Sequence, residues 1–279
     1  MTRFLVTGAG GMLGQDLLAV LDLRADAKVT ALTRAELDVT DAAAVDAAVA
    51  GHDVVLNAAA WTDVDGAETR EAEATAVNGT GVANLARASA RLIHVSTDYV
   101  FRGDATTPYP EDAPTDPINA YGRSKLVGER AVLAAGGYVV RTAWLYGAHG
   151  PNFVHTMLRL AGERDHLDVV DDQRGQPTWS YALAERLVAL ALAPAAPAGV
   201  YHGTASGETT WYGLARAVFA HRGLDPARVR PTTSDRYPRP APRPAYSVLG
   251  HARWTRAGLP PMADWETMLA AYLEVRPGV

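Results

Sequence analysis

A chain of 279 residues has room for one large core and a smaller attached region, because single cores stop growing near about 250–300 residues. Its 48% hydrophobic and 20% charged residues are the balance of an ordinary globular protein, and a net charge of -5 without a basic block argues against a nucleic-acid partner. No cysteine is present, which excludes disulfides, thiolate nucleophiles and cysteine zinc sites; with no signal-like start and no apolar run near the ~20 residues of a membrane span, a cytoplasmic protein without membrane contact is expected.

Short β-branched runs alternate with Ala/Leu-rich helical patterns through the first half, the signature of βαβ units and a parallel sheet. A strand over residues 4–7 runs into Thr7-Gly8-Ala9-Gly10-Gly11-Met12-Leu13-Gly14 and a helix over 12–23. Gly8 permits a tight turn, Gly11 lets backbone approach a pyrophosphate, Gly14 allows close helix packing, and the helix N-terminus attracts negative charge. The loop from Gly8 through Met12 and Leu13 to Gly14 is therefore the candidate dinucleotide cradle. The next strand, 29–33, ends Leu32-Thr33-Arg34, with no acid where NAD-specific sites keep one for the ribose 2′-hydroxyl. Arg34 suits a 2′-phosphate, which it can meet through two parallel hydrogen bonds, while Glu36 is an alternative partner for the ribose hydroxyls. Asp38 and Val39 precede a helix over 42–50 that Asp38 can cap.

A strand over 54–57 ends in Asn57-Ala58-Ala59-Ala60, a helix follows over 72–90, and a strand over 92–96 runs out at Ser96-Thr97. The helix over 120–135 opens Tyr121-Gly122-Arg123-Ser124-Lys125, which sets a tyrosine and a lysine one turn apart on one face. In a ketone reduction these types have distinct tasks: a tyrosine protonates the forming alkoxide, a lysine lowers the tyrosine pKa and holds the cofactor ribose, and a hydroxyl orients the carbonyl. Only Lys28 and Lys125 are lysines among 26 basic residues, so Lys125 marks a place that wants a compact ammonium rather than a planar guanidinium. After a strand over 138–142 the alternation loosens into helices over 153–162 and 181–192, a Pro/Ala linker over 194–198, and a Pro/Arg-rich surface loop over 226–244. Right-handed crossovers then give an α/β fold, a Rossmann-like doubly wound parallel sheet with a smaller C-terminal substrate-binding lobe. The expected division is 1–150 for the NAD(P)-binding domain, completed by part of 178–195 and 240–250, and 151–279 mainly for the lobe.

The three-residue spacing of Gly8, Gly11 and Gly14 resembles the extended short-chain dehydrogenase/reductase fingerprint. That resemblance implies that Ala58, Ala59 and Ala60 let backbone approach the nicotinamide ribose and that Asp38, with Val39, holds the adenine amino group. It narrows to the dTDP-4-dehydrorhamnose reductase family on Asn57 to Thr62, Ser96-Thr97-Asp98-Tyr99-Val100-Phe101, Tyr121 to Glu129, Arg141 to Gly147, Asn152-Phe153, Asp172-Gln173 and Pro177-Thr178. The family implies Thr97, Tyr121 and Lys125 as the catalytic set, with Asp98, Tyr99, Trp144, Asn152 and Arg243 on the substrate side. It implies reduction of the 4-keto group of a dTDP-4-keto-6-deoxyhexose; Arg34 adds the expectation that NADPH is preferred, with NADH usable because the glycine loop does not depend on the 2′ group. Related dehydratases carry Asp-Glu after the threonine, where this chain has Asp98-Tyr99, so the extra base for water removal is missing. An epimerase, a reductase of another 4-keto sugar and a regulatory binding subunit of the same fold stay open as alternatives, as does a homodimer. Some family members bridge subunits through magnesium, and Asp16 matches one ligand position. Trp179-Ser180-Tyr181 stands where the second acid would be, so no metal requirement is expected.

Overall fold

A computed structural model describes residues 1–275. Its centre is a six-stranded parallel sheet in the order β2-β1-β3-β4-β5-β10, formed by β1 (Thr2–Thr7), β2 (Ala27–Leu32), β3 (Val54–Asn57), β4 (Leu92–Thr97), β5 (Tyr138–Thr142) and, from late in the chain, β10 (Gly199–His202). Side chains alternate strictly across it. Phe4 and Val6 of β1, Val54 and Leu56 of β3 and Val140 of β5 pack on one face, while Leu5, Val55 and Val139 pack on the other. Burial on both faces explains why these strands read as continuous apolar runs.

The first face is covered by α1 (Met12–Asp22) and α8 (Ser180–Ala191), which pack on each other. The second is covered by α2 (Ala42–Val49), α5 (Val82–Ala88) and α6 (Ala120–Ala134). The helix expected over 72–90 is interrupted: α4 (Glu71–Thr75) passes through a π-helical segment, Ala76–Gly81, before α5. Two glycines explain the break. A Cβ on Gly79 would lie 2.7 Å from Val127 and one on Gly81 2.6 Å from Val39, so neighbouring elements approach where glycine weakens the helix. The short α3 (Val64–Ala67) precedes α4.

The remaining elements are β6 (Leu145–Tyr146), α7 (Phe153–Glu163), β7 (Leu167–Val170), β8 (Arg174–Gly175), β9 (Thr178–Trp179), β11 (Thr209–Thr210), α9 (Trp211–His221), β12 (Val229–Thr232), α10 (Ala252–Arg256) and α11 (Trp265–Val275). One expectation is corrected here. The 226–244 stretch is not all loop, because β12 pairs in parallel with β7, Pro231 opposite Val169. A two-stranded ladder leaves one edge of each strand unpaired, where a proline's missing donor is tolerated. The 194–198 segment is a tight connection from α8 into β10, with Ala196 buried in the main core. The strand β10 and the helices α9 and α11 are elements the sequence reading does not include.

Candidate active site

The sheet order reverses at β1 and β3, and the crevice beyond their C-terminal ends is where open α/β sheets bind ligands. Two loops meet there. Gly8 sits at φ +70°, and a Cβ on it would lie 2.5 Å from the Ala59 nitrogen, so only glycine lets the first loop rest on Ala58-Ala59. A Cβ on Gly14 would collide with the Gly8 carbonyl, which fixes the loop against α1. Side chains cap α2 (Asp41), α6 (Asn119), α7 (Asn152) and α9 (Thr210), but α1 starts at Gly11 without one. The first-turn N–H groups of a helix have no acceptor within it, so this glycine-lined, uncapped start fits the diphosphate of a dinucleotide.

Past β2, Arg34 is exposed and has no hydrogen bond or ion pair among the described residues. Glu36 is engaged instead, accepting from the Thr33 N–H and hydroxyl, both at 2.8 Å. Asp38 is exposed and turns back to the Thr40 N–H (2.9 Å), and the cap of α2 is Asp41 rather than Asp38. Val39 is buried in the second core, which leaves its backbone as the part that can face a ligand. Met12 lies 3.3 Å from where a Gly147 Cβ would stand, and Leu13 is core.

The end of β4 and the start of α6 bring Thr97, Asp98, Tyr99, Tyr121 and Lys125 together. Asn119 caps α6 by accepting from the Gly122 N–H (2.8 Å) and donates to the Pro242 carbonyl (3.0 Å), while Glu68 accepts from the Ala120 N–H (2.8 Å). Gly122 packs on the Tyr99 carbonyl so closely that a Cβ would collide. The helix start that carries Tyr121 is thus held from three sides. Tyr121 stands edge-on to Tyr99 with ring centroids 6.0 Å apart, with the Thr97 side chain near its phenol. Thr97 donates to Asp98 at 3.0 Å. Lys125 is fully buried, and its Nζ donates to the Val95 carbonyl (2.7 Å) and lies 3.4 Å from His94 Nε2.

Burial sets the charge states. Loss of water, with the Asp98 charge adding to it, raises the Tyr121 phenol well above its usual range, so the tyrosine stays protonated. Burial lowers Lys125 to about 8 against the opposing pull of Glu129, and raises Asp98 to about 6 despite the hydrogen bond from Thr97.

Arg243 comes from the distant 236–245 segment, lies beside Tyr99 and pairs with Asp65 at 3.0 Å. Thr97 pairs in register with Thr142, so Trp144 stands two residues beyond the same sheet edge. Trp144 is the one non-glycine residue at positive φ (+47°) among the described residues and stacks on Trp211 at 3.7 Å over a space that Gly175 keeps open. Such backbone strain gathers at binding sites. Asn152 caps α7 and donates to the Gly147 carbonyl at 3.0 Å. Asp16, the position matched to magnesium, is buried and accepts from the Ser180 hydroxyl, and among the described residues no three acidic or histidine side chains cluster as a metal site would need.

Sequence reading misses several supports. Asn78 grips the Trp61 backbone through its side-chain oxygen (2.9 Å) and nitrogen (3.1 Å) and reaches Ser124 Oγ (2.9 Å). A buried pair of Glu129 and Arg141 ties α6 to β5, and Trp211 backs Trp144. Glu129 had a signal in its place four residues after Lys125 on the same helix face, and Arg141 in opening the run Arg141 to Gly147.

The profile of the RmlD substrate binding domain family matches residues 2–276. The chain is 57% identical to a dTDP-4-dehydrorhamnose reductase of Streptomyces griseus, across 96% of this chain and 91% of the relative. It is 52% identical to a dTDP-4-keto-6-deoxy-D-glucose reductase of Streptomyces niveus, across 96% and 95%. The fold superposes with a TM-score of 0.91 on a crystal structure of dTDP-4-dehydrorhamnose reductase from Bacillus anthracis in complex with NADP, at 34% identity over 99% of this chain and 100% of the other.

Proposed function

The chain belongs to the dTDP-4-dehydrorhamnose reductase family, and from that membership we propose how its residues carry out the reaction. The protein is a nicotinamide-dependent oxidoreductase that reduces the 4-keto group of a dTDP-4-keto-6-deoxyhexose. The bound nicotinamide supplies the hydride for sugar C4. The Gly8–Gly14 loop and the uncapped start of α1 hold the diphosphate, and Ala58 to Ala60 form the floor beside the ribose. Thr97 orients the keto oxygen. Tyr121 gives that oxygen its proton, for which a buried, protonated phenol is suited. Lys125 holds the ribose and steadies the phenolate left behind.

On the sugar side, Asp98 and Tyr99 face the pocket from the end of β4. Trp144, presented at positive φ and backed by Trp211, offers a flat wall, with Asn152 beyond it. Arg243 receives the diphosphate of the sugar nucleotide, exchanging its partner Asp65 for phosphate. NADPH is the preferred cofactor, supported by an unpaired Arg34 beside a Glu36 already engaged by Thr33. Turnover needs no divalent metal, a reading supported by the bond from Ser180 to Asp16.

The observation that carries this reading is the convergence of Thr97, Tyr121 and Lys125 on one edge of the sheet. The test is purified protein with NADPH and dTDP-4-keto-6-deoxyglucose, with and without a 3,5-epimerase. Oxidation of NADPH with a 4-hydroxy sugar as product is expected. A 4-epimer formed without NADPH consumption, or binding without turnover, would displace it.

A further inference from the structure

Behind Lys125 runs a chain of buried polar groups that crosses three strands. Thr7 of β1 donates its hydroxyl to Asn57 Oδ1 on β3 at 2.7 Å, and the Ala59 N–H donates to the same atom at 3.0 Å. An amide N–H is only a donor, so the Asn57 atom that meets it is the oxygen, and Asn57 Nδ2 is the atom 2.9 Å from His94 Nδ1 on β4. Nδ2 also only donates. His94 Nδ1 therefore accepts, and in a neutral imidazole the proton sits on Nε2. Burial keeps the ring neutral, holding its pKa well below the usual value. Nε2 with its proton points at Lys125 Nζ, 3.4 Å away.

An ammonium has no lone pair, so with Lys125 protonated two donors face each other between two buried side chains. With Lys125 neutral, Nζ accepts from His94 and still donates to the Val95 carbonyl at 2.7 Å. We propose that His94, locked by Asn57 in its Nε2–H tautomer, is a positioning residue that loosens the proton on Lys125 and so sets the pH at which the Tyr121–Lys125 pair works. This rests on the reading of Lys125 as the partner of Tyr121. A loosely held proton is what the Tyr121 phenolate needs to recover its own after giving one to the sugar oxygen, with Lys125 then reprotonated from water.

The other charged groups on elements packed against α6 are committed elsewhere. Glu129 opposes the effect but is paired with Arg141 of β5 at 2.7 Å. Glu71 is held by Arg123, Glu73 by Arg70, Asp65 by Arg243 and Glu68 by the Ala120 N–H, while Asp98 accepts from Thr97.

Because Lys28 and Lys125 are the only lysines, protein labelled with 13C at lysine Cε gives two signals, with exposed Lys28 as internal reference. In the wild type, Lys125 is expected to titrate well below the usual lysine range. His94→Phe keeps ring bulk and burial but removes the N–H, and should raise the Lys125 midpoint by about one pH unit, a tenfold gain in proton affinity. The alkaline limb of kcat should move with it, which a purely structural defect would not produce. A midpoint that stays put overturns the proposal. Should the variant not fold, 15N couplings of labelled histidine in the wild type decide, with His94 identified by its proximity to Lys125 Cε: the Nε2–H tautomer supports the proposal and the Nδ1–H tautomer sinks it. The titration uses no turnover, so it stands apart from Lys125→Met, whose full activity would remove the catalytic reading alone.

Discussion

Removing Glu129 should cost far more stability than removing any surface acid. Its carboxylate meets Arg141 through two parallel bonds, 2.9 Å to Nε and 2.7 Å to Nη2, and the two side chains are 1% and 4% exposed. The guanidinium also lies over the Phe101 ring at 4.8 Å. Glu129→Leu leaves that cation buried without its anion, a loss of about 3–5 kcal/mol. Unfolding entropy of about 2.1 cal/mol/K per residue gives a chain of this length ~0.6 kcal/mol/K, so the melting temperature should fall by roughly 5–9 °C. Replacing both partners, Glu129→Leu with Arg141→Met, removes the orphan charge and should recover most of the loss. Glu73→Ala is the control, since its pair with Arg70 is more than half exposed and screened by water. Differential scanning calorimetry at one pH and salt concentration compares all four proteins. If Glu129→Leu melts within about 2 °C of the Glu73 control, or the double variant is as damaged as the single, the buried pair does not hold α6 to the sheet as argued.

Tyr121→Phe removes the proton donor and spares the cofactor loops, so kcat should drop ~10²-fold or more with NADPH affinity nearly unchanged, as steady-state kinetics and a binding titration can check. Arg34→Ala should cost roughly tenfold in kcat/KM for NADPH and little for NADH, the low end of a charge-assisted contact because the side chain is exposed; a wild type that uses NADH as well as NADPH would remove that role. Asp98 is raised from 3.8 to about 6, so the fold favours its neutral acid, and this contribution is complete below the unfolded value and lost as pH climbs through about 6. Asp98→Asn should therefore flatten the part of the stability profile between roughly pH 4 and 6, seen as melting temperature against pH. Treatment with EDTA should leave turnover unchanged, and loss of activity restored by magnesium would refute the metal-free reading.

The sequence alone determined what local chemistry and periodicity encode. Strands buried on both faces must be apolar throughout, so β1, β3, β4 and β5 announce themselves, and a glycine loop between a strand and a helix can be read for its backbone freedom. Tyr121 and Lys125 were legible because helical periodicity puts them on one face without knowledge of anything else. Tertiary structure alone decided which distant residues share a site. β10 lies 57 residues after the end of β5, counted from Thr142 to Gly199, and only the closed sheet makes them neighbours. Arg243 comes to this end of the sheet because its segment is tied to Asp65 and Asn119, contacts that no spacing predicts. Trp144 stacks on Trp211, a residue of another element far along the chain. His94 shows the difference most plainly: in the sequence it is one of three polar residues in its strand, and its tautomer is set by which atom of Asn57 the Ala59 N–H happens to meet. A hydrogen bond has a direction, and that direction is fixed by three-dimensional neighbours rather than by the order of residues along the chain.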